Sequence, residues 1–562
     1  MPSMPFYYLF STAILFSLLL LSYAQQPTSA PAASHLPSIT CKSTPYPKLC
    51  RSILSSFKYS SPSDPYHYGK FTVKQCLKQA RKLSIINHYL AGERAAALSA
   101  VEALAMQDCG QLAELNVDYL EKISMELKGA KDMTGELVDR VTSLLSGVVT
   151  NQQTCYDGLV EAKSGFAGAL AEPLGNTTRL YSMSLALVSH ALDRSLEKSK
   201  HGFLSKKSAV REPLDTLIKA LRKSSRRGNT VERTLSELRG NGILINNTVK
   251  VSPNGTDTFT NISDAIATAP RNLKPDNGYF VVYVREGYYE EYVVVPKKKN
   301  NILLIGDGIN KTIITGSHNR VDNWTTYNSS TFAVSGERFV AVDITFRNTA
   351  GPKKHQAVAV RNSADFSTFY RCSFEGYQDT LYVHSLRQFY RDCDIYGTVD
   401  FIFGNAAAVF QNCNLYARKP LPDQKNSFTA QGRTDPNQNT GISIQNCRIE
   451  AAPDLAVNLS FTPSYLGRPW KAYSRTVVMQ SYIGEVIHPA GWLEWNGTQG
   501  LDTLYYGEFA NYGPGAHTSM RVRWPGFSLM DATQAVNFTV LNFTMGDTWL
   551  PDTDIPFSGG LF

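Results

Sequence analysis

Two aspartates hold equivalent places in a repeated phrase. The phrase runs Phe369-Tyr370-Arg371-Cys372, then Phe389-Tyr390-Arg391-Asp392-Cys393, then Phe410-Gln411-Asn412-Cys413, with an echo at Ile444-Gln445-Asn446-Cys447. Asp379 follows Cys372 by seven residues, and Asp400 follows Cys393 by seven. Like charges held close together resist joint ionisation, so one carboxyl of such a pair keeps its proton. The pair then supplies one proton donor and one carboxylate nucleophile or base. Gln378, beside Asp379, and Gln356, about one period earlier, are amides that can donate to an oxyanion without ionising. An amide ladder inside a repeat structure is the alternative reading of the same two residues. Arg468, in Leu466-Gly467-Arg468-Pro469-Trp470-Lys471, can make a bidentate bond to a carboxylate. Trp470 beside it suits a sugar ring.

A scaffold must bring these residues together. The cysteines of the phrase fall 21 and then 20 residues apart. A period near 20, with short β-rich runs and no room for a crossover helix, predicts a parallel β-helix with one coil per period. Neighbouring coils are about 4.8 Å apart, which stacks Asp379 on Asp400. From residue 247 the chain is rich in Val, Ile, Phe and Tyr, broken by Asn and Gly. Coils are followed through Phe280–Val284, Ile302–Ile305, Phe339–Phe346, Gly441–Ile449 and Thr476–Ile483. The β-helix is therefore assigned to residues 247–562.

The chain ahead of it has a different character. Residues 1–24 read as a secretory signal peptide, apolar from Phe6 to Leu21 and ending at Ser22-Tyr23-Ala24; with no Lys or Arg ahead of the apolar run, an uncleaved membrane anchor is the alternative. A Pro/Ser/Ala-rich leader follows. Across 38–196 apolar residues recur near 3.6, from Cys76 through Ile85 to Leu104, then at Leu112–Leu127, Leu137–Leu159 and Leu180–Leu196, which predicts an all-α four-helix bundle. Residues 197–246 read as a basic linker whose run Arg222–Arg227 is a candidate processing site.

Composition narrows the class. The chain of 562 residues carries a formal charge of +8, and 19% of its residues are charged. That mild basicity reads first as a solvated basic surface and second as attraction to a polyanion, and no nucleic-acid-binding motif is present. N-x-[ST] sequons at Asn176, Asn246, Asn254, Asn261, Asn310, Asn323, Asn328, Asn458, Asn496, Asn537 and Asn542 fit an exported glycoprotein. Cysteines in an oxidising compartment then read as disulfides. Cys41 with Cys50 would close an N-terminal hairpin, and Cys109 with Cys155 would staple two long helices. Cys76 remains as an odd, buried, apolar thiol. G-x-S-x-G is absent, which argues against a nucleophile-elbow serine esterase. H-E-x-x-H and paired C-x-x-C are absent, so zinc has no obvious ligands.

The C-terminal half resembles the plant pectin methylesterases. The likeness is carried by Gly287-Tyr-Tyr-Glu-Glu291, His355-Gln-Ala-Val-Ala359, Gly376-Tyr-Gln-Asp-Thr-Leu-Tyr382, Asp400-Phe-Ile-Phe-Gly-Asn405 and Leu466-Gly-Arg-Pro-Trp470. The helical half resembles the inhibitor-like pro-region of the two-part members, through Met106-Gln-Asp-Cys109 and Thr154-Cys-Tyr-Asp-Gly158. The resemblance implies a right-handed parallel β-helix that hydrolyses methyl esters of polygalacturonate (pectin) to pectate and methanol, with no metal or cofactor. It implies Asp400 as nucleophile, Asp379 as acid and then base, and Gln378 and Gln356 as stabilisers of the tetrahedral intermediate. Arg468 would orient Asp400, and Thr326, Gln356, Arg468 and Trp470 would contact substrate. The setting it implies is the extracellular cell wall, or apoplast. The implied partners are the chain's own bundle as an intramolecular inhibitor, separate inhibitor proteins, and a subtilisin-like processing protease.

The sequence departs from the family pattern in two places. The R-x-L-L type processing site is missing, with only Arg222–Arg227 and Arg233-Thr-Leu235 nearby. Thr345 stands where an earlier partner for Cys372 is sought, which makes Cys372–Cys393 a candidate bridge alongside Cys413–Cys447. The competing readings are another pectin-degrading β-helix enzyme, a lyase or galacturonase, and a catalytically silent pectin-binding or inhibitor protein.

Overall fold

The computed structural model describes residues 40–57, 65–93, 98–130, 134–198, 213–224 and 243–562. The signal peptide read at 1–24, the leader, residues 225–227 of the basic run and Arg233-Thr-Leu235 lie outside them.

Among the described residues six α-helices precede the β region: α1 (Pro47–Leu54), α2 (Pro65–Glu93), α3 (Ala100–Gly129), α4 (Gly135–Glu161), α5 (Phe166–Lys198) and α6 (Pro213–Ser224). Helices α2 to α5 form the four-helix bundle expected from the periodicity. One helix boundary differs from the expectation. The period read from Cys76 through Leu104 is split, and Leu104 belongs to α3. The cause is local: Ser99 caps α3, its hydroxyl accepting from the Glu102 N–H while the Glu102 carboxylate accepts from the Ser99 N–H. Disulfides join Cys41 to Cys50 and Cys109 to Cys155, the second tying α3 to α4. Cys76 is a free, buried thiol, and burial pushes its pKa up to about 12.

Helix α4 is buried without a break from Val141 to Gln152. An amphipathic helix would expose one face. This one has none to expose, because one side packs in the bundle and the other rests on the β region. Gly147 permits that approach, since a Cβ there would come within 2.9 Å of Leu386 Cδ2.

The β region is a parallel β-helix of three sheets with eleven, seven and eight strands among the described residues. A full coil contributes a strand to each sheet, the coils at the two ends fewer, and pairing is parallel. Phe369 pairs with Tyr390, and Tyr390 with Phe410. Their rings stack inside the solenoid at 5.3 and 4.5 Å between centroids. Repetition of one residue class at one place per coil fills this core, as the repeated phrase predicted.

Tight turns between the sheets need left-handed backbone. Asp343, Arg371, Asp392, Asn412, Asn446 and Gln480 supply it at one corner, all with φ between 50° and 60°. Asp and Asn tolerate that region better than most residues. The residues just after Arg371, Asp392, Asn412 and Asn446 are the four solenoid cysteines.

The expected bridges Cys372–Cys393 and Cys413–Cys447 are not formed, and all four cysteines are free and buried. In-register stacking orients their side chains alike. Each sulfur meets backbone carbonyls instead, for example Cys393 Sγ to Phe369 O at 3.4 Å and Cys447 Sγ to Phe410 O at 3.5 Å. A disulfide needs the two Cβ–Sγ bonds turned roughly a right angle about the S–S axis, and parallel side chains do not offer that.

The stretch read as linker also contains structure. Helix α6 lays Leu214, Leu217, Ile218 and Leu221 on the eleven-stranded sheet, in one cluster with Val281, Leu303 and Val340. Arg222, the first residue of the basic run, is in its last turn and binds Asp343 at 2.8 Å.

Candidate active site

The turns that lead into the seven-stranded sheet carry the two aspartates. Leu381 pairs with Ile402, so Asp379 and Asp400, each two residues earlier, sit one coil apart at the same place. The Asp379 N–H donates to Val399 O at 3.1 Å, which fixes the offset. Both residues have left-handed backbone, φ 63° and 53°. Such conformations cluster where function holds them. Here they turn both carboxyl groups out of the coil into one cavity of about 380 Å³.

Every residue singled out from sequence reaches that cavity. Its lining includes Thr326, Gln356, Gln378, Asp379, Asp400, Arg468 and Trp470. Gln356 and Gln378 are brought side by side by the Ala357 N–H, which donates to Gln378 O at 3.2 Å. Arg468 donates through Nε and Nη2 to the two oxygens of Asp400, each at 2.7 Å. Its guanidinium lies over the Trp495 ring at 4.4 Å. Trp470 stands edge-on to Phe403, 6.0 Å between centroids, and Phe403 stacks on Tyr382 at 4.2 Å.

The electrostatics separate the carboxyls. Burial, then the charge of Asp400, then that of Glu161 hold Asp379 well above the usual carboxylate range. Burial also raises Asp400, but the Arg468 hydrogen bonds and charge act against it. A two-pronged charged fork on one carboxylate and none on the other decides the order. Asp400 ionises first, and Asp379 carries the proton.

Sequence reasoning missed the roof. The bundle supplies Asp108, Thr154, Asp157, Gly158, Val160 and Glu161 to the cavity wall. Asp108 accepts from the Thr325 hydroxyl at 2.6 Å and from Asn328 Nδ2. Glu161 accepts from the Thr326 hydroxyl at 2.9 Å. Behind them Arg387, buried between coils, holds Asp365 of the solenoid at 2.7 Å and Asp139 of α4 at 2.6 Å. Asp108 and Asp157 both stand in segments singled out for the helical half, next to the cysteines that join α3 to α4. Tyr382 and Phe403 likewise lay unassigned within motifs already noted. Among the described residues no group of three or more His, Cys, Asp or Glu is placed to hold a metal ion.

Both halves of the chain are similar to known proteins. The family described as Pectinesterase matches residues 248–547, and the one described as Plant invertase/pectin methylesterase inhibitor matches 36–187. The chain is 66% identical over 538 residues to Probable pectinesterase/pectinesterase inhibitor 47 of Arabidopsis thaliana, covering 93% of this chain and 86% of the relative. It is 46% identical over 461 residues to Pectinesterase/pectinesterase inhibitor PPE8B of Prunus persica, covering 81% and 83%. Among solved structures, Pectin methylesterase from Carrot is similar at 56% identity and TM-score 0.55, over 56% of this chain and 98% of that one.

Proposed function

The chain belongs to the pectinesterase family, with an inhibitor-like domain ahead of its catalytic domain, and from that premise we propose which residues do the chemistry and what the bundle does to it. The substrate is the methyl ester of a galacturonate unit in pectin. Asp400, kept ionised by Arg468, attacks the ester carbonyl carbon. The amides of Gln378 and Gln356 donate to the oxyanion of the tetrahedral intermediate. As the intermediate collapses, Asp379 gives its proton to the departing methoxide, and methanol leaves an acyl-Asp400. Asp379, now a carboxylate, takes a proton from water as that water attacks the acyl carbon. The free acid is released, Asp400 is regenerated and Asp379 is reprotonated. Thr326 and Trp470 border the sugar-binding part of the cavity.

The observation that carries this reading is the unequal pair, with Asp400 forked by Arg468 and Asp379 one coil away without such a partner. A lyase or galacturonase has no use for that inequality beside two glutamine amides. The bundle is read as an intramolecular inhibitor. Its support is the roof of Asp108, Thr154, Asp157 and Glu161, which covers the groove while leaving the aspartates unbonded to it. Export to the cell wall is part of the same reading. It is supported by the apolar N-terminal stretch and the sequons, and among the described residues no helix is long and apolar enough to cross a membrane. A processing protease acting between the halves, and separate inhibitor proteins docking where the bundle does, complete it.

The test is methanol release from esterified pectin by residues 213–562, which keep α6 on its sheet, and by the full chain. The shorter protein is expected to be active and the full chain much less so. Asp400→Ala in the shorter protein is expected to abolish release with the circular dichroism spectrum unchanged. Activity retained in Asp400→Ala sinks the assignment of the nucleophile.

A further inference from the structure

Two ion pairs fasten the bundle to the cavity rim, and in both the acid is the bundle's and the cation the solenoid's. Lys471 Nζ lies 2.9 Å from Asp157 Oδ1, and Arg320 Nε lies 2.9 Å from Glu161 Oε1. Thr326 adds its hydroxyl to the same Glu161 oxygen at 2.9 Å. Among the described residues, these bundle acids are the only ion-pair partners of Lys471 and Arg320. Both cations are three-quarters buried, with 22% and 24% of the side chain exposed. In the intact chain, with the bundle seated on them, both are held in the interface and not loose on the surface.

The acids are spaced in a particular way. Asp157 and Glu161 are four residues apart on α4, so they leave one helix face about 6 Å apart along the axis. Two carboxylates on one rigid helix face present the same chemical group as a demethylated stretch of polygalacturonate, where successive sugars each carry one. The other oxygen of Asp157, Oδ2, is buried without a hydrogen-bond partner. The engaged oxygen, Oδ1, also accepts from Gln153 Nε2 of the same helix at 2.8 Å, so the solenoid holds this carboxylate through Lys471 alone.

The geometry points to Lys471 and Arg320, the latter with Thr326, as receptors for the free carboxylates of galacturonate units flanking the ester under attack, which Asp157 and Glu161 occupy in the intact chain. The inference rests on the esterase reading for the identity of the polymer. It adds to it which side chains at the rim would meet free acids near the ester. It also gives the bundle a specific mode of action, carboxylate mimicry at the rim without contact to the reacting aspartates.

The experiment measures calorimetric binding of hexagalacturonate and of its fully methyl-esterified form to the full chain. The variants are Asp157→Ala/Glu161→Ala, the same pair with Arg320→Met/Lys471→Met added, and the same pair with Lys274→Met/Lys311→Met, which removes equal charge elsewhere on the solenoid. Removing the bundle's acids is expected to tighten hexagalacturonate binding about tenfold or more, the scale of one charge-assisted contact. Adding Arg320→Met/Lys471→Met is expected to cancel the gain, and the Lys274/Lys311 pair to leave it. Binding of the esterified hexamer should not respond to Arg320→Met/Lys471→Met. No gain in the first variant overturns the mimicry, and so does a gain that survives loss of the two cations. Should the alanine pair fail to fold, Asp157→Asn/Glu161→Gln removes the charges at constant shape and is read in the same way. Methanol release separates this inference from its premise. Binding that follows the expected pattern without methanol release sinks the esterase reading alone. Methanol release with unresponsive binding sinks the receptor assignment alone.

Discussion

Arg468 meets both oxygens of Asp400 at 2.7 Å, through Nε and Nη2, from a loop 68 residues further along the chain. The planar fork matches a carboxylate in a way a lysine ammonium cannot. Arg468→Lys in residues 213–562 keeps the charge and loses the fork. Methanol release is expected to fall about a hundredfold, the scale of losing a preorganised charged contact. The pH profile gives the sign. Burial raises the Asp400 carboxyl and Arg468 opposes that rise. Weakening the opposition moves the folded-state value up, so the acid limb of the profile shifts to higher pH. An unmoved acid limb in Arg468→Lys would falsify the role given to the fork.

Docking of the bundle should depend on acidity through Asp108. Burial pushes its pKa up to about 7, against the lowering effect of the Thr325 and Asn328 hydrogen bonds and of Arg361, with Glu161 adding to the rise. A free aspartate titrates near pH 3.9. From about pH 4 to about 7 the docked form therefore holds a proton that the undocked form has released. Docking weakens as pH rises through that window and levels off above it. Asp139 and Glu161 are raised by burial too, with the same sign. The ratio of methanol release by the full chain to that by residues 213–562 is expected to climb across the window. Asp108→Asn should flatten the climb, and an equal slope in that variant removes Asp108 from the account.

The coil and the aspartate pair were legible because a solenoid writes its geometry as sequence period. One phrase per coil placed Asp379 over Asp400, and pairing of Leu381 with Ile402 realises it. The same period misled for the cysteines. Equal spacing predicts proximity, but parallel stacking also makes the side chains point alike, and no bridge forms. Helix α6 had its stripe in plain view, Leu214, Leu217, Ile218 and Leu221, yet the surrounding basic residues read as linker. The roof was beyond reach for another reason. That Asp108 meets Thr325 across 217 positions is a fact of docking between two units, and no local pattern in either encodes it.

Glycosylation offers an independent check on the docked geometry. Asn328 heads a sequon, and its side-chain nitrogen donates to Asp108 Oδ1 across the interface. A glycan is attached at that same nitrogen, so a modified Asn328 cannot make the contact and would set a bulky chain between the bundle and the groove. Glycopeptide mapping of the full chain from a secreting plant host is expected to find Asn328 unmodified. A high occupancy at Asn328 in protein that still has low activity contradicts the docked arrangement.

Helix α6 should stabilise the solenoid even with the bundle removed. Its Leu221 is fully buried against the eleven-stranded sheet, and Leu217 nearly so. Beyond the apolar stripe, the Leu214 N–H donates to Asp554 Oδ2 at 2.9 Å, and Arg371 reaches Asp215 at 3.1 Å. Truncating a buried leucine to alanine costs about 2–5 kcal/mol in a well-packed core. A short helix on a surface can partly relax, so Leu221→Ala in residues 213–562 is expected near the low end, about 2 kcal/mol, in chemical denaturation. The change should leave kcat for methanol release untouched, because α6 lies on the eleven-stranded sheet and the aspartates open from turns into the seven-stranded one. If the variant unfolds at the same denaturant concentration as the parent, α6 is not part of the catalytic unit. A processing cut on either side of it would then be equivalent for stability. If it unfolds earlier, as expected, cleavage downstream of Ser224 strips an apolar cover from the mature enzyme, whereas cleavage upstream of Pro213 preserves it.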